Sequence, residues 1–267
     1  MTAAKTRTRL FMRHLLATAV AILVWASLLA AASASAKATA RLRQGYGEAS
    51  PKLEERWRAR PRQSSKSDGG DVELWTFDRL DRIGGHKTTV LGDPRLVDTP
   101  VGKAIEFDGV DDAILVDVHP LAGAETFTWE AIFRPDGGKT EQRWFHLQES
   151  GSENRMLYEI RVIDGQWCLD SYNHSGDAQR ALLDRNKLHP LGAWYHVAAV
   201  YDGRTFRNYV NGTEEGAAEI RFAPQKPGRT SIGVRINLVD YFKGAIHVAR
   251  FTRRALSPAE FLRVSSP

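Results

Sequence analysis

Trp194-Tyr195-His196-Val197-Ala198-Ala199-Val200-Tyr201-Asp202-Gly203-Arg204-Thr205-Phe206-Arg207-Asn208-Tyr209-Val210-Asn211-Gly212 is the stretch whose reading decides the fold. Two runs rich in β-branched and aromatic residues, Tyr195–Tyr201 and Thr205–Val210, are joined by Asp202-Gly203, and the second runs into Asn211-Gly212. Asp-Gly and Asn-Gly supply the left-handed backbone that tight hairpins need, so the stretch reads as antiparallel strands closed by short turns.

The same texture extends in both directions. Upstream, Val72–Phe77, Lys103–Phe107, Ala113–Val118, Thr126–Arg134, Arg143–Gln148, Met156–Ile163 and Trp167–Tyr172 are strand-like, with turn signals such as Asp108-Gly109, Pro135-Asp136-Gly137-Gly138 and Asp164-Gly165 between them. Downstream, Thr230–Ile236 and Ala245–Phe251 complete the set, and Ser257-Pro258 opens one terminal helical turn, with Ser257 as its cap. No segment of 71–267 sustains a 3.6-residue period. About ten short strands with hairpin turns predict an all-β, two-sheet antiparallel β-sandwich of the jelly-roll type.

The N-terminal quarter reads differently. Lys5, Arg7, Arg9 and Arg13 precede the low-polarity run Leu15–Ala32, and Ala34-Ser35-Ala36 fits a signal-peptidase site before Lys37. Residues 1–36 are therefore expected to be a signal peptide, with an uncleaved signal anchor as the alternative; the run is just long enough to span a bilayer. Either form implies a periplasmic, secreted or cell-surface protein, with membrane contact only through this segment. Residues 37–70 are rich in Arg, Ser, Pro and Gly and read as a basic flexible linker.

The formal charge of +5 on 267 residues is unevenly spread: +4 in 1–36, +6 in 37–67 and −5 in 68–267. A mildly acidic folded part lacks the electrostatic footprint of a nucleic-acid binder. Cys168 is the only cysteine, so no internal disulfide is available, and in Gln166-Trp167-Cys168-Leu169-Asp170 it reads as a buried strand residue.

Several blocks resemble one family. Ala104-Ile105-Glu106-Phe107-Asp108-Gly109-Val110-Asp111-Asp112, Thr126-Phe127-Thr128-Trp129-Glu130-Ala131-Ile132-Phe133-Arg134-Pro135, the Trp194–Gly212 hairpin, Ser231-Ile232-Gly233, and Gly244-Ala245-Ile246 with Arg250 and Arg254-Ala255-Leu256-Ser257 are similar, in order, to the laminin G-like, concanavalin A-like lectin/glucanase jelly rolls. The resemblance spans about Asp71–Leu262 and implies the same sandwich. It leaves open a lectin, an adhesion module or a glycosidase, because this fold carries all three. Members that bind structural Ca²⁺ use acids near the first and last strands, which makes Asp78 and Asp108 the candidate ligands here. His247 stands where the family has an Asp in its last strand, and an imidazole suits Ca²⁺ poorly.

Catalytic signatures are absent from the sequence. Glu106-Phe107-Asp108-Gly109-Val110-Asp111 is the nearest approach to the paired carboxylates of a retaining glycosidase, but Gly109 breaks the strand, and the segment reads as a structural turn. No H-E-x-x-H or G-x-S-x-G occurs, and Gly84-Gly85-His86-Lys87-Thr88 places His where a phosphate loop needs Gly.

Strand alternation in Leu157–Ile163 sets Tyr158, Ile160 and Val162 against Glu159 and Arg161; in Ser231–Ile236 it sets Ile232, Val234 and Ile236 against Arg235. Polar residues on one exposed face of an antiparallel sheet are ordinary. The functional alternative is a sugar-binding groove in which Glu159, Arg161 and Arg235 bond ring hydroxyls while Tyr172, Tyr241 or Trp144 stacks on the ring, with Asn237–Phe242 as its rim. The resulting expectation is a non-catalytic exported binding module for a glycan or a protein partner. A glycoside hydrolase or lyase and a purely structural envelope protein are the alternatives.

Overall fold

The computed structural model describes residues 70–264. The signal segment expected at 1–36 and nearly all of the linker expected at 37–70 lie outside the described residues. The strands run β1 (Val72–Thr76), β2 (Arg82–Ile83), β3 (His86–Leu91), β4 (Arg95–Thr99), β5 (Gly102–Asp108), β6 (Ala113–Val116), β7 (Phe127–Pro135), β8 (Glu141–Glu149) and β9 (Arg155–Ile163). They continue with β10 (Gln166–Ser175), β11 (Ala178–Leu183), β12 (His189–Pro190), β13 (Tyr195–Tyr201), β14 (Thr205–Val210), β15 (Thr213–Glu219), β16 (Gly228–Ile232) and β17 (Lys243–Thr252). A single 3-10 turn follows at Pro258–Glu260.

Two antiparallel sheets form the sandwich. One has the order β15-β14-β13-β7-β17-β5-β4, with β1 also pairing β17. The other runs β11-β10-β9-β8-β16-β6-β3-β2, with β12 pairing β10. The β13–β14 hairpin has the register expected from Asp202-Gly203, with Tyr201 opposite Phe206 and Val197 opposite Val210.

Alternation explains the core. Tyr158 and Ile160 of β9, Trp167 and Leu169 of β10 and Ile232 of β16 meet Trp129 and Phe133 of β7 and Phe251 of β17 in one apolar cluster. A bulge in β8 between Arg143 and Phe145 adds a second aromatic to it. Trp144 turns inward there, stacked 4.3 Å from Phe133 and 5.1 Å from Tyr158. Cys168 is buried and unpaired, and burial pushes its thiol up.

The C-terminal segment straps the outer face of the eight-stranded sheet. Thr128 Oγ1 donates to Arg254 O and accepts from Leu256 N, both at 2.8 Å. Leu256 and Phe261 pack on Ala198, Val200 and Tyr209. Beneath them the fully buried Glu130 carboxylate accepts from Arg250 Nε at 2.6 Å, Leu262 N at 2.7 Å and His196 Nε2 at 3.0 Å. Burial opposes its ionisation, but these bonds outweigh burial and hold its pKa below the usual range. Ser257 caps the terminal turn as expected: its N–H and hydroxyl both donate to Glu260 Oε2, at 2.9 and 3.0 Å.

Candidate functional site

The outer face of the nine-stranded sheet is built from alternate residues of its central strands. Register places Glu159 of β9 between Arg143 of β8 and Asp170 of β10. Two residues along, Leu157 lies between His146 and Tyr172; two further, Arg155 lies between Gln148 and His174. The β8 bulge lets Arg143 and His146, three apart in sequence, share this face.

The charges form a ladder across three strands. Arg161 Nη2 donates to Glu159 Oε2 at 2.9 Å and to Asp170 Oδ2 at 2.6 Å. Arg143 Nε lies 3.2 Å from Glu159 Oε1, and its guanidinium also pairs with Asp240. Glu159 is 1% exposed, Asp170 3% and Arg161 7%. Burial, reinforced by the charge of Glu159, pushes the Asp170 carboxyl up to about 7 despite Arg161. The sequence pattern set Glu159 and Arg161 on a solvent-exposed face; they do oppose the apolar residues, but as buried, mutually paired groups.

Arg235 reaches the same region by another route. Gly233, at φ +80°, ends β16 at Ile232 beside the Phe107 ring, so the expected strand through Ile236 stops short. Ile236 consequently packs outside with Leu115 rather than in the core. The chain then crosses the outer face: Ile236 N donates to His146 Nδ1 at 3.1 Å, Leu238 N to Arg235 O at 2.8 Å and Arg143 N to Asp240 O at 2.9 Å. Leu238 and Asp240 carry left-handed backbones at φ 60° and 58°, a conformation that costs a non-glycine residue energy.

The expected aromatic platforms separate. Tyr172 joins the charged face, with the Arg155 guanidinium 5.1 Å from its ring centroid and its hydroxyl donating to Gln179 Oε1 at 2.8 Å. Trp144 is in the core and is excluded as a platform. Tyr241 sits near Asp108 and Asp111, whose charges add to burial in raising its hydroxyl pKa. Phe242, expected on the rim, is buried among Phe107, Phe133 and Trp144.

Asp108, Asp111 and Asp112 offer carboxylate oxygens within 4.8 Å of one another; Asp78 does not belong to this group. Hard oxygens suit Ca²⁺, but half of these are already engaged. Asp112 accepts Asp93 N at 2.6 Å and Asp108 N at 2.9 Å, while Asp108 Oδ1 accepts Val110 N at 2.7 Å and Asp111 N at 3.3 Å. Turn closure accounts for the carboxylates of Asp108 and Asp112. His247, in the register shift of β17, uses Nδ1 on Lys103 O at 2.7 Å.

Sequence reading missed Arg143, His146 and Asp170 as partners on this face. The bulge disguised the first two by breaking strict alternation, and Asp170 needed the β9–β10 register.

No match is found among curated proteins. Among solved structures, domain 4 of AbnA, a GH43 extracellular arabinanase from Geobacillus stearothermophilus, in complex with arabinotriose, is similar at 20% identity and a TM-score of 0.54, over 70% of this chain and 94% of that one. The binding domain of Paraclostridial Mosquitocidal Protein 1 is similar at 14% identity and a TM-score of 0.54, over 71% of this chain and 50% of that one. Trypanosoma rangeli sialidase, in complex with the inhibitor DANA, is similar at 15% identity and a TM-score of 0.51, over 70% of this chain and 31% of its own. The chain thus spans about half of the mosquitocidal domain and less of the sialidase, and at these identities the likeness is one of fold. A family model, described as the concanavalin A-like lectin/glucanases superfamily, matches residues 108–261. With more than half of its length matched and the two-sheet jelly roll in place, the chain belongs to the concanavalin A-like lectin/glucanase superfamily.

Proposed function

We propose that this protein is a non-catalytic glycan-binding module that works outside the cytoplasm, using the outer face of the nine-stranded sheet. The observation that carries the proposal is the buried ladder Arg143–Glu159–Arg161–Asp170. Burying such pairs is a poor way to gain stability, because desolvation offsets most of the attraction and apolar side chains of similar volume do as well or better. A polar ladder on the face turned away from the core therefore favours a recognition role. Hydroxyl-rich ligands exchange hydrogen bonds with carboxylates and guanidinium groups, and Tyr172 lies beside the ladder. The extracytoplasmic part rests on the basic and apolar pattern of residues 1–36.

One observation favours an enzyme as the second reading. Glu159 and Asp170 both bond Arg161 Nη2, so their carboxylates lie within the span of two hydrogen bonds, near the roughly 5 Å that retaining glycosidases use. Asp170, at about 7, has the character of an acid. Against this, the guanidinium occupies the space between the carboxylates where a glycosidic oxygen would lie. Incubating the full chain with the glycans it retains on an array, followed by product analysis, separates the two. The expected result is binding without cleavage; release of shortened sugars, abolished by Asp170→Asn, would establish the enzyme instead.

A further inference from the structure

Among the described residues His119, His146 and His196 are buried, at 4%, 0% and 2% exposed; His196 pairs with Glu130, and the other two differ in one bond. Both rings accept through Nδ1, from Leu121 N at 3.2 Å in His119 and from Ile236 N at 3.1 Å in His146. A neutral ring accepting at Nδ1 carries its proton on Nε2. In His119 that N–H donates to Gln225 Oε1 at 3.0 Å. In His146, which is 0% exposed, Nε2 has no hydrogen-bond partner. A buried donor left without an acceptor is costly; the indole N–H groups of Trp129, Trp144 and Trp167 share that state, but within the core cluster.

Four arginines lie around this N–H, among them Arg143, paired with Glu159 and Asp240, and Arg155, paired with Glu153. Register sets Arg155 and Arg229 on either side of Gln148, the next outward residue of β8. The bulge brings Arg143 in from the other end of β8, and Arg235 follows from the crossing loop. After burial itself, the charges of these four arginines hold the His146 imidazole neutral, well below its usual range. The face is thus two-ended. Glu159 and Asp170 gather around Arg161 at one end, while His146 marks an arginine-rich end that presents a donor.

We infer that His146 and the arginines around it form a subsite for the anionic group of an acidic sugar, a carboxylate or a sulfate that accepts from His146 Nε2–H. An anion satisfies the orphaned donor and complements the guanidinium groups at once, whereas a neutral hydroxyl brings a proton of its own into a cationic site. The inference deepens the glycan-binding reading and rests on it. The loop of Arg235–Asp240 crosses this face and is bonded to it through Ile236 N on His146 Nδ1 and Asp240 O on Arg143 N, so the group reaches the subsite only as that loop gives way.

Calorimetric titration of the full chain with oligogalacturonate, its methyl-esterified form, a sulfated oligosaccharide and a neutral arabino-oligosaccharide tests this. The carboxylated or the sulfated probe is expected to bind about tenfold or more tightly than the esterified and neutral ones, and the better of the two identifies the anion. His146→Asn keeps an acceptor for Ile236 N but removes the Nε2 donor, and should abolish the preference. Arg235→Gln, in the loop, should reduce it as well, and melting curves show whether either variant is unfolded. Equal binding of charged and neutral probes, tighter binding of the neutral ones, or a preference that survives in folded Arg235→Gln and His146→Asn would overturn the subsite and leave glycan binding standing. Failure of every probe to bind would overturn both.

Discussion

At the residue scale the molecule is governed by charges placed where water is scarce. His119 is held at about 4, against an ordinary 6.5, chiefly by burial. Its folded-state pKa is depressed, so the unfolded chain takes up a proton that the native state refuses. Stability is therefore full above about pH 6.5 and is lost as pH falls towards 4, by roughly 3 kcal/mol from this group. His146 acts in the same direction. Asp170 opposes them: its raised value makes the native state bind the extra proton, so its contribution declines as pH rises from about 4 to 7. Urea melts at pH 4 and 7 should show a smaller acid loss in His119→Gln than in the parent, and an unchanged loss would contradict the assignment. Arg161→Ala, by stranding Asp170 and leaving Glu159 with Arg143 alone, should cost about 3–5 kcal/mol; a cost below about 1 kcal/mol would mean that the ladder is not buried as described.

At the element scale, the strands legible in the sequence are those whose composition and burial agree. Tyr195–Tyr201 and Thr205–Val210 have the bounds read from their turns, and Met156–Ile163 and Trp167–Tyr172 differ by a few residues at their ends. Thr213–Glu219, Arg95–Thr99 and Ala178–Leu183 escaped notice because Glu, Arg, Ala and Gly give them no apolar period; ladder hydrogen bonds with one neighbour make them strands. The site was half legible for a similar reason. Glu159 and Arg161 follow from alternation, whereas Arg143, His146 and Arg235 depend on a bulge and on the stop at Gly233, which alternation cannot reveal. The C-terminal strap is a local element with a local test. Phe261 packs edge-on to Tyr209 at 5.2 Å and lies 5.3 Å from His196. Phe261→Ala should cost about 3 kcal/mol and speed amide exchange in Ser257–Leu262 before the rest of the sandwich; uniform exchange throughout would show that the strap is not a separate unit.

At the scale of the whole molecule, the two sheets divide the work. The eight-stranded sheet turns its outer face to the strap and uses Glu130 to fasten it. The nine-stranded sheet carries the buried ladder on its outer face, where the intact pairs add little net stability although removing one partner is costly. Its lateral position is fixed by register on both sides of β8 and β9, so the fold positions the ladder without needing it. The most direct measurement compares affinity for the strongest glycan found on an array across three full-length proteins: the parent, Arg235→Gln and Arg207→Gln. Arg207 lies on β14 of the other sheet, paired with Asp202 at 2.6 Å. Binding through the nine-stranded face predicts a loss of about tenfold or more for Arg235→Gln and none for Arg207→Gln; equal affinities in all three, or a loss confined to Arg207→Gln, would contradict it.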